Sequence, residues 1–416
     1  VIARGTGCVT RTLGESVLVA LPGARIGDGV RLQTARGSIG GEVAAIEGSR
    51  ASIAVFGSLQ GIGVGDRVTV DPRAAFVPAG FALLGRAIDA CGQALDGGAD
   101  PAVHSHLVAR GRPPEPGTRA PVDLPFWTGV RAIDALLVVG RGARVGIFGA
   151  PGAGKTTLLE TIVAGSSADA CVLALVGERG REAQTWLERL ERSTTVVVAT
   201  SDCSAAERAR AADTAMIQAE SLRSRGLHVL LVIDSLARYA AALRERKVAL
   251  GEPVGRGGYP PSVWAELARY LERAGTAERG SITLIASVLS DGADEREPLS
   301  DAARSLLDGH IVLSGELARA GHFPAIDVPA SASRTMAGVV SPGHVRAAQR
   351  VRGALALLAE SKDARAAGLT SSADAPFARA VAAEAKLFAL LRQSGPALWA
   401  DSVAQLVAVA ASLEDR

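Results

Sequence analysis

"ARVGIFGAPGAGKTTLLETIVAG", residues 143 to 165, decides the fold. An apolar run breaks into a glycine-rich turn and resumes as a stretch of helix formers. Gly149 to Thr156 satisfies G-x-x-x-x-G-K-[ST], directly after a strand candidate and directly before a helix candidate, which is the context that the motif's mechanism requires. Its glycines let the backbone curl so that N–H groups face phosphate oxygens, and the helix N-terminus adds partial positive charge. Lys155 is expected to reach the β- and γ-phosphates of a nucleotide and Thr156 to offer its hydroxyl to Mg²⁺. The expected nucleotide-binding set is Gly149, Ala150, Pro151, Gly152, Ala153, Gly154, Lys155, Thr156 and Thr157. The bland alternative is a strand-to-helix turn that binds nothing. Lysine is scarce, however: Lys155, Lys247, Lys362 and Lys386 stand among 45 basic residues. A compact ammonium suits a tight loop where a forked guanidinium does not.

Working outward, "ARVGIFG", "ACVLALVG", "TTVVVAT", "HVLLVID" and "SITLIAS" are apolar runs, each followed by a helical stretch. Such alternation predicts a mostly parallel sheet covered on both faces. The segment before it, 1–71, reads as short apolar stretches between glycine-bearing turns, a small antiparallel barrel or sandwich. Within it "GIGVGD" (61–66) is expected to be a turn, since no helix follows the glycines. The proline-dense "RGRPPEPGTRAPVDLP" (110–125) is an extended connector. From 342 to 416 the text is alanine- and leucine-rich with helical period, a helical bundle. The expected division is therefore 1–71 barrel, 72–341 α/β core and 342–416 helical domain.

Two further strand ends carry chemistry. "VLLVIDS" ends in Asp234, placed to complete a Mg²⁺ shell, though an acid there also serves as a helix cap. "VGERGRE" puts Glu178, Arg179, Arg181 and Glu182 at the C-terminal edge of the sheet, where ligands of open α/β sheets bind. Glu178 is the candidate to orient or deprotonate a water in line with the γ-phosphate. A solvated charged loop is the competing reading.

Composition bounds the class. At 416 residues, 48% apolar and 21% charged, the chain is expected to be a multidomain globular protein, and with a formal net charge of +2 nothing global argues for a nucleic-acid footprint. Cys8, Cys91, Cys171 and Cys203 lack C-x-x-C spacing, so neither a zinc site nor a disulfide framework is expected, and a cytoplasmic location fits best. No apolar run is long enough to span a membrane as a helix.

Taken together, "GAPGAGKTTLL", "GERGRE", "VVATSD", "LLVIDSLARYA", "GEPVGRGGYPPSV", "LERAG", "LLDGHIVLS" and "HFPAIDVPASASR" resemble the type III secretion export ATPases, the injectisome and flagellar enzymes related to the catalytic subunits of rotary ATPases. The resemblance covers nearly the whole chain. It implies a RecA-like P-loop ATPase core with an N-terminal small β-barrel and a C-terminal α-helical domain. It also implies ATP and Mg²⁺ as cofactors and a homohexameric ring with sites at subunit interfaces. Carried over residue by residue, Lys155 and Thr156 hold phosphate and metal, Glu178 is the catalytic carboxylate, Arg179 lies near the γ-phosphate and Asp234 completes the metal shell. Arg334, in "SASR", matches the arginine that the family inserts into a neighbouring subunit's site, and Phe323 the aromatic that packs on adenine.

The implied partners are a central stalk protein, a negative regulator, and chaperone–substrate complexes at an inner-membrane export gate, with the enzyme cytoplasmic and peripheral to that membrane. Because the chain starts at Val1, it is expected to be monomeric in solution if the family's N-terminal assembly segment is missing. Departures from the family pattern are Leu243 for a usual glutamine, Gly315 for a usual arginine, and a faint tail motif in "AAGLTSSADAPFARAV"; none falls on the expected hydrolytic residues. Between the two branches, "PGARIGDGVRL" and "FGSLQGIGVGDRV" favour the injectisome over the flagellum. A rotary synthase β-subunit is disfavoured by the lack of a "DELSEED"-type segment. A helicase-like ring is disfavoured because residues 1–71 hold a single aromatic, Phe56. A non-catalytic ring subunit would have no use for Glu178.

Overall fold

The computed structural model describes residues 5–101, 105–108, 111–289, 298–366 and 375–414. Six antiparallel strands, β1 (Thr6–Leu13), β2 (Ser16–Ala20), β3 (Gly29–Thr34), β4 (Gly37–Glu47), β5 (Arg50–Phe56) and β6 (Arg67–Val70), close into a barrel in the order β1-β2-β5-β4-β3-β6. Alternate residues point inward, so Val17 and Val19, Val30 and Leu32, Ile53 and Val55 pack one core with Val9, Val43 and Val68. Closure removes the edges that an open sandwich would leave. "GIGVGD" is the turn expected: Gly65 N–H donates to the Val9 carbonyl at 2.8 Å and Gly63 N–H to the Asp66 carboxylate at 2.8 Å.

By compactness the chain divides into two units, Val1–Glu115 with Ala170–Ala274, and Pro116–Asp169 with Gly275–Arg416. In the first, the barrel is tied to the long helix Ala205–Ser224: the Ser204 hydroxyl donates to the Val55 carbonyl at 3.3 Å and Ala205 N–H to Glu15 at 3.0 Å. Four parallel strands follow in the order His228–Asp234, Ala170–Val176, Thr194–Ala199, Arg86–Asp89. The first three are buried along their whole length, as a strand covered on both faces must be, and that is why they read as unbroken apolar runs. Arg86–Asp89, four residues with a charge at each end, has no such signature and escapes a reading by hydropathy.

In the second unit the order is Ile326–Ser333, Gly309–Leu313, Arg144–Gly149, Ser281–Leu289, parallel except for Ile326–Ser333. The proline-dense connector is extended apart from one 3₁₀ turn, Pro116–Thr118. The tail forms helices at Pro342–Glu360, Ala375–Leu391 and Trp399–Ala411, packed through Val351, Leu355, Leu387 and Leu406. Half of the faint tail motif, residues 367–374, lies outside the described residues.

Candidate active site

In the second unit, Gly149 ends its strand and the chain turns through Gly152 at φ +81° and Gly154 at φ +90° into the helix Lys155–Gly165. No side chain caps that helix, so its first-turn N–H groups are not taken up by a neighbouring Ser, Thr, Asp or Asn. Lys155 Nζ donates to the carbonyls of Gly149 and, at 3.1 Å, Ala150, which holds the ammonium over the loop. Pro151, Gly152, Thr156 and Thr157 are exposed, whereas Ala153 is buried and fixes the underside of the loop. A Cβ on Gly154 would stand 3.5 Å from the edge of the Phe323 ring, an ordinary contact, so this position needs glycine for its left-handed backbone rather than for space.

Phe323 is 46% exposed, and its ring lies beside the phosphate loop rather than in the core. The end of the helix Ala375–Leu391 and the residues after it hold its segment. Gln393 N–H donates to the Phe323 carbonyl at 3.1 Å, Phe388 meets the buried His322 ring edge-on at 5.6 Å, and Arg392 Nε donates to His322 Nδ1 at 3.2 Å. Burial, then the Arg392 charge, lower the His322 pKa, which keeps the imidazole neutral and able to accept that bond. The Gln393 side chain also accepts from Arg131 N–H at 2.6 Å and donates to the Gly129 carbonyl at 2.9 Å. The same turn is gripped from its other side by Asp134, which takes Thr128 N–H at 2.7 Å, the Thr128 hydroxyl at 2.8 Å and Gly129 N–H at 3.0 Å. Sequence reading missed Gln393 and Asp134; the only local trace is an acid shortly after the Thr-Gly turn.

In the first unit, Glu178 follows the strand Ala170–Val176, and Asp234 ends the strand His228–Asp234 in register with Leu175. Both carboxylates are buried, Glu178 to 7% exposure and Asp234 to 8%, so the solvated-loop reading of Glu178 fails. Burial first, and the Asp234 charge second, push the Glu178 carboxyl well above its ordinary value, with Glu182 adding to the effect and Arg238 opposing it. Arg238 Nε stands 3.0 Å from Glu178 Oε1, an ion pair off the hydrogen-bond line, while its Nη1 donates to the Gly177 carbonyl at 2.5 Å. Gly177 has φ +70°, and a Cβ there would meet Arg238 Cδ at 3.0 Å, so glycine lets Arg238 close on Glu178. Ser235, not Asp234, caps the next helix, its side chain accepting from Arg238 N–H at 3.4 Å. Arg238 is the residue that sequence reading overlooked here, although a basic side chain one turn beyond Asp234 in "DSLARYA" was visible.

Arg179 is exposed at the start of the helix Gly180–Glu188, directly beyond Glu178. Arg334 is exposed just past the strand Ile326–Ser333. Its N–H bonds the Asp308 carbonyl at 2.9 Å and its Nη2 the Arg304 carbonyl at 3.4 Å, and it makes no hydrogen bond to the phosphate loop of its own chain. Burial, then the Arg304, Arg334 and Arg352 charges, hold the pKa of nearby His310 below its ordinary value. No group of three or more His, Cys, Asp or Glu able to hold a metal occurs among the described residues. Thr156 in the second unit and Asp234 in the first each carry the kind of oxygen donor that Mg²⁺ takes, and that ion is commonly held by one or two side chains together with substrate phosphates rather than by an all-protein cage.

A family model described as "ATP synthase alpha/beta family, nucleotide-binding domain" matches residues 129–333. The chain is 44% identical over 397 residues to the type 3 secretion system ATPase of Sinorhizobium fredii, covering 93% of this chain and 88% of that protein. It is 44% identical over 330 residues to the flagellum-specific ATP synthase of Pseudomonas aeruginosa, covering 77% and 73% respectively. The structure of the assembled ATPase EscN, from the type III secretion system of enteropathogenic E. coli, matches with a TM-score of 0.92 at 38% identity, over 97% of this chain and all of that one. The resemblance carried by the motifs thus extends to the whole architecture of barrel, α/β core and helical tail. The chain belongs to the family of type III secretion and flagellar export ATPases, ATP hydrolases of the ATP synthase alpha/beta group.

Proposed function

We propose that this enzyme works in an injectisome-type secretion apparatus, hydrolysing ATP at the subunit interfaces of a homohexameric ring to release and unfold chaperone-bound export substrates. The observation that carries the hydrolytic part is Glu178: a carboxylate buried at a strand end, beside Asp234 and gripped by Arg238, is built for chemistry rather than for solubility. In this reading Lys155 and the loop amides hold the β- and γ-phosphates, and Thr156 and Asp234 hold Mg²⁺, which supplies charge neutralisation at those phosphates when bound. Glu178 orients the attacking water and takes its proton, with Arg179 beside it, while Phe323 covers the adenine. Arg334, exposed and hydrogen-bonded to the Asp308 and Arg304 carbonyls, serves the neighbouring subunit's nucleotide.

A ring is supported by the likeness to an assembled ATPase, and a stalk partner by the likeness, TM-score 0.89, to EscN in complex with its central stalk EscO. The injectisome reading is favoured over the flagellar one by the stretches "PGARIGDGVRL" and "FGSLQGIGVGDRV", while relatives of both branches match 77% of this chain or more. We further propose a negative regulator as partner and a cytoplasmic enzyme peripheral to the inner-membrane export gate. No described helix is long and apolar enough to cross a membrane.

ATP turnover measured against protein concentration tests the proposal. Specific activity should rise with concentration. Glu178→Gln should abolish turnover while nucleotide still binds, and Arg334→Ala should lose about 10³-fold or more. An intact chain that binds ATP but never hydrolyses it at any concentration would instead be a non-catalytic ring subunit.

A further inference from the structure

Outside the ATP machinery, the first unit contains a pocket of about 330 Å³ where the barrel meets the helix Ala205–Ser224. Arg31, Ser38 and Phe56 line it from the barrel, and Arg73, Gln93 and Arg210 from the other side. Arg210 is the unusual member. It is 5% exposed, its guanidinium carbon sits 4.2 Å over the Phe56 ring, and its Nη2 donates to the Ala74 and Phe76 carbonyls at 2.9 and 3.0 Å. Its Nε and Nη1 are buried and meet no hydrogen-bond acceptor. Leaving charged donors unmatched in the interior is unfavourable enough that an acceptor is normally supplied.

The protein groups nearby supply only a weak one. The Cys91 thiol is a hydrogen-bond contact of Arg210, but burial pushes its pKa up to about 11 against the Arg210 charge and that contact, and a protonated thiol is a weak acceptor. Asp71 is engaged by Arg31 Nε at 3.0 Å and Arg73 N–H at 3.1 Å. Glu207 is locked in a capping box with Ser204, and Asp89 accepts from Cys91 and Gln93 N–H groups. The pocket is therefore lined by three guanidinium groups, with its neighbouring carboxylates already committed.

We propose that this pocket is an anion-binding site, separate from the phosphate loop, that takes a phosphate dianion on Arg210, Arg31 and Arg73. Gln93 and Ser38 supply neutral polar contacts, and Phe56 forms an apolar wall. The donor arrangement suits a phosphate group whether it arrives as the free ion or as a small phosphate ester. The site does not depend on the ATPase reading, since none of its residues serves the nucleotide.

Tungstate, a heavy phosphate mimic located by anomalous scattering in crystals of the whole chain, tests the placement. Two separate peaks are expected, one at the phosphate loop and one within hydrogen-bond reach of Arg210. Arg31→Ala/Arg73→Ala, which alters exposed side chains and spares the buried anchor, should lose the second peak and keep the first. A peak at the loop alone overturns the proposal, as does a second peak indifferent to both substitutions. Calorimetry with the loop saturated by a non-hydrolysable ATP analogue then compares inorganic phosphate with ribose 5-phosphate. Affinity for either that falls tenfold or more in the double variant supports the site, and whichever binds tighter identifies the source. Heat from neither overturns it.

Discussion

In the proposed mechanism Glu178 has to be ionised to draw a proton from water, yet it sits where ionisation is opposed by burial and by Asp234. Arg238 is the counterweight, and it also fixes the backbone beside Glu178 through the Gly177 carbonyl. Arg238→Ala should therefore lower kcat by about 10²-fold, the scale of a misplaced catalytic group, with little change in ATP affinity. Arg238→Lys should recover part of the loss. A defect confined to KM, or equal in both variants, would mean that Arg238 serves binding or folding instead. The placement of Lys155, Thr156, Glu178 and Asp234 at or just beyond strand ends was legible in the sequence because each apolar run marks a strand. Arg238 was legible only as a charge on a helix. That it closes on Glu178 depends on a contact between residues 60 positions apart and on a left-handed glycine between strand and helix.

At the scale of elements, the turn Thr128–Val130 leads into the short helix Arg131–Leu136, whose opening is held by Asp134. Burial dominates there and holds the Asp134 carboxyl up to about 7, against the pull of its three donors. The unfolded chain ionises this group near 3.8, so between about 4 and about 7 the folded state carries the extra proton and loses stability as pH rises, with no further loss above. Asp134→Asn cannot ionise, but its amide must turn an N–H toward a donor, a cost of about 1–3 kcal/mol. The stability gap between the natural chain and Asp134→Asn should narrow as pH rises from 4 to 8 in denaturant titrations. A gap that widens would show that the three donors win and the carboxylate is charged in the fold. Strands of this size were readable wherever both faces are buried. The edge strand Arg86–Asp89 was not, because its hydrogen-bond partner, Thr194–Ala199, and not its own composition makes it a strand.

For the whole molecule, a ring whose sites complete across subunits makes a prediction that no monomer property can mimic. Glu178→Gln and Arg334→Ala, each inactive alone, should recover turnover when mixed, because some interfaces then pair an intact Glu178 with an intact Arg334. Mixtures as silent as their parents, with assembly confirmed by light scattering, would place both residues in one subunit's own site. The barrel, α/β core and helical tail were readable from periodicity, whereas the tail's grip on Phe323 was not, since Phe388, Arg392 and Gln393 sit in an ordinary helix-end sequence. That grip bears on how deletion experiments should be interpreted. A chain stopped before Phe388 would lose the bond to the Phe323 carbonyl, the ring beside His322 and the side chain that brackets Gly129. A shortened enzyme that neither hydrolyses ATP nor recruits a partner would thus report two injuries at once. Surface substitutions on the exposed face of Ala375–Leu391, rather than truncation, are the clean instrument for separating docking from catalysis.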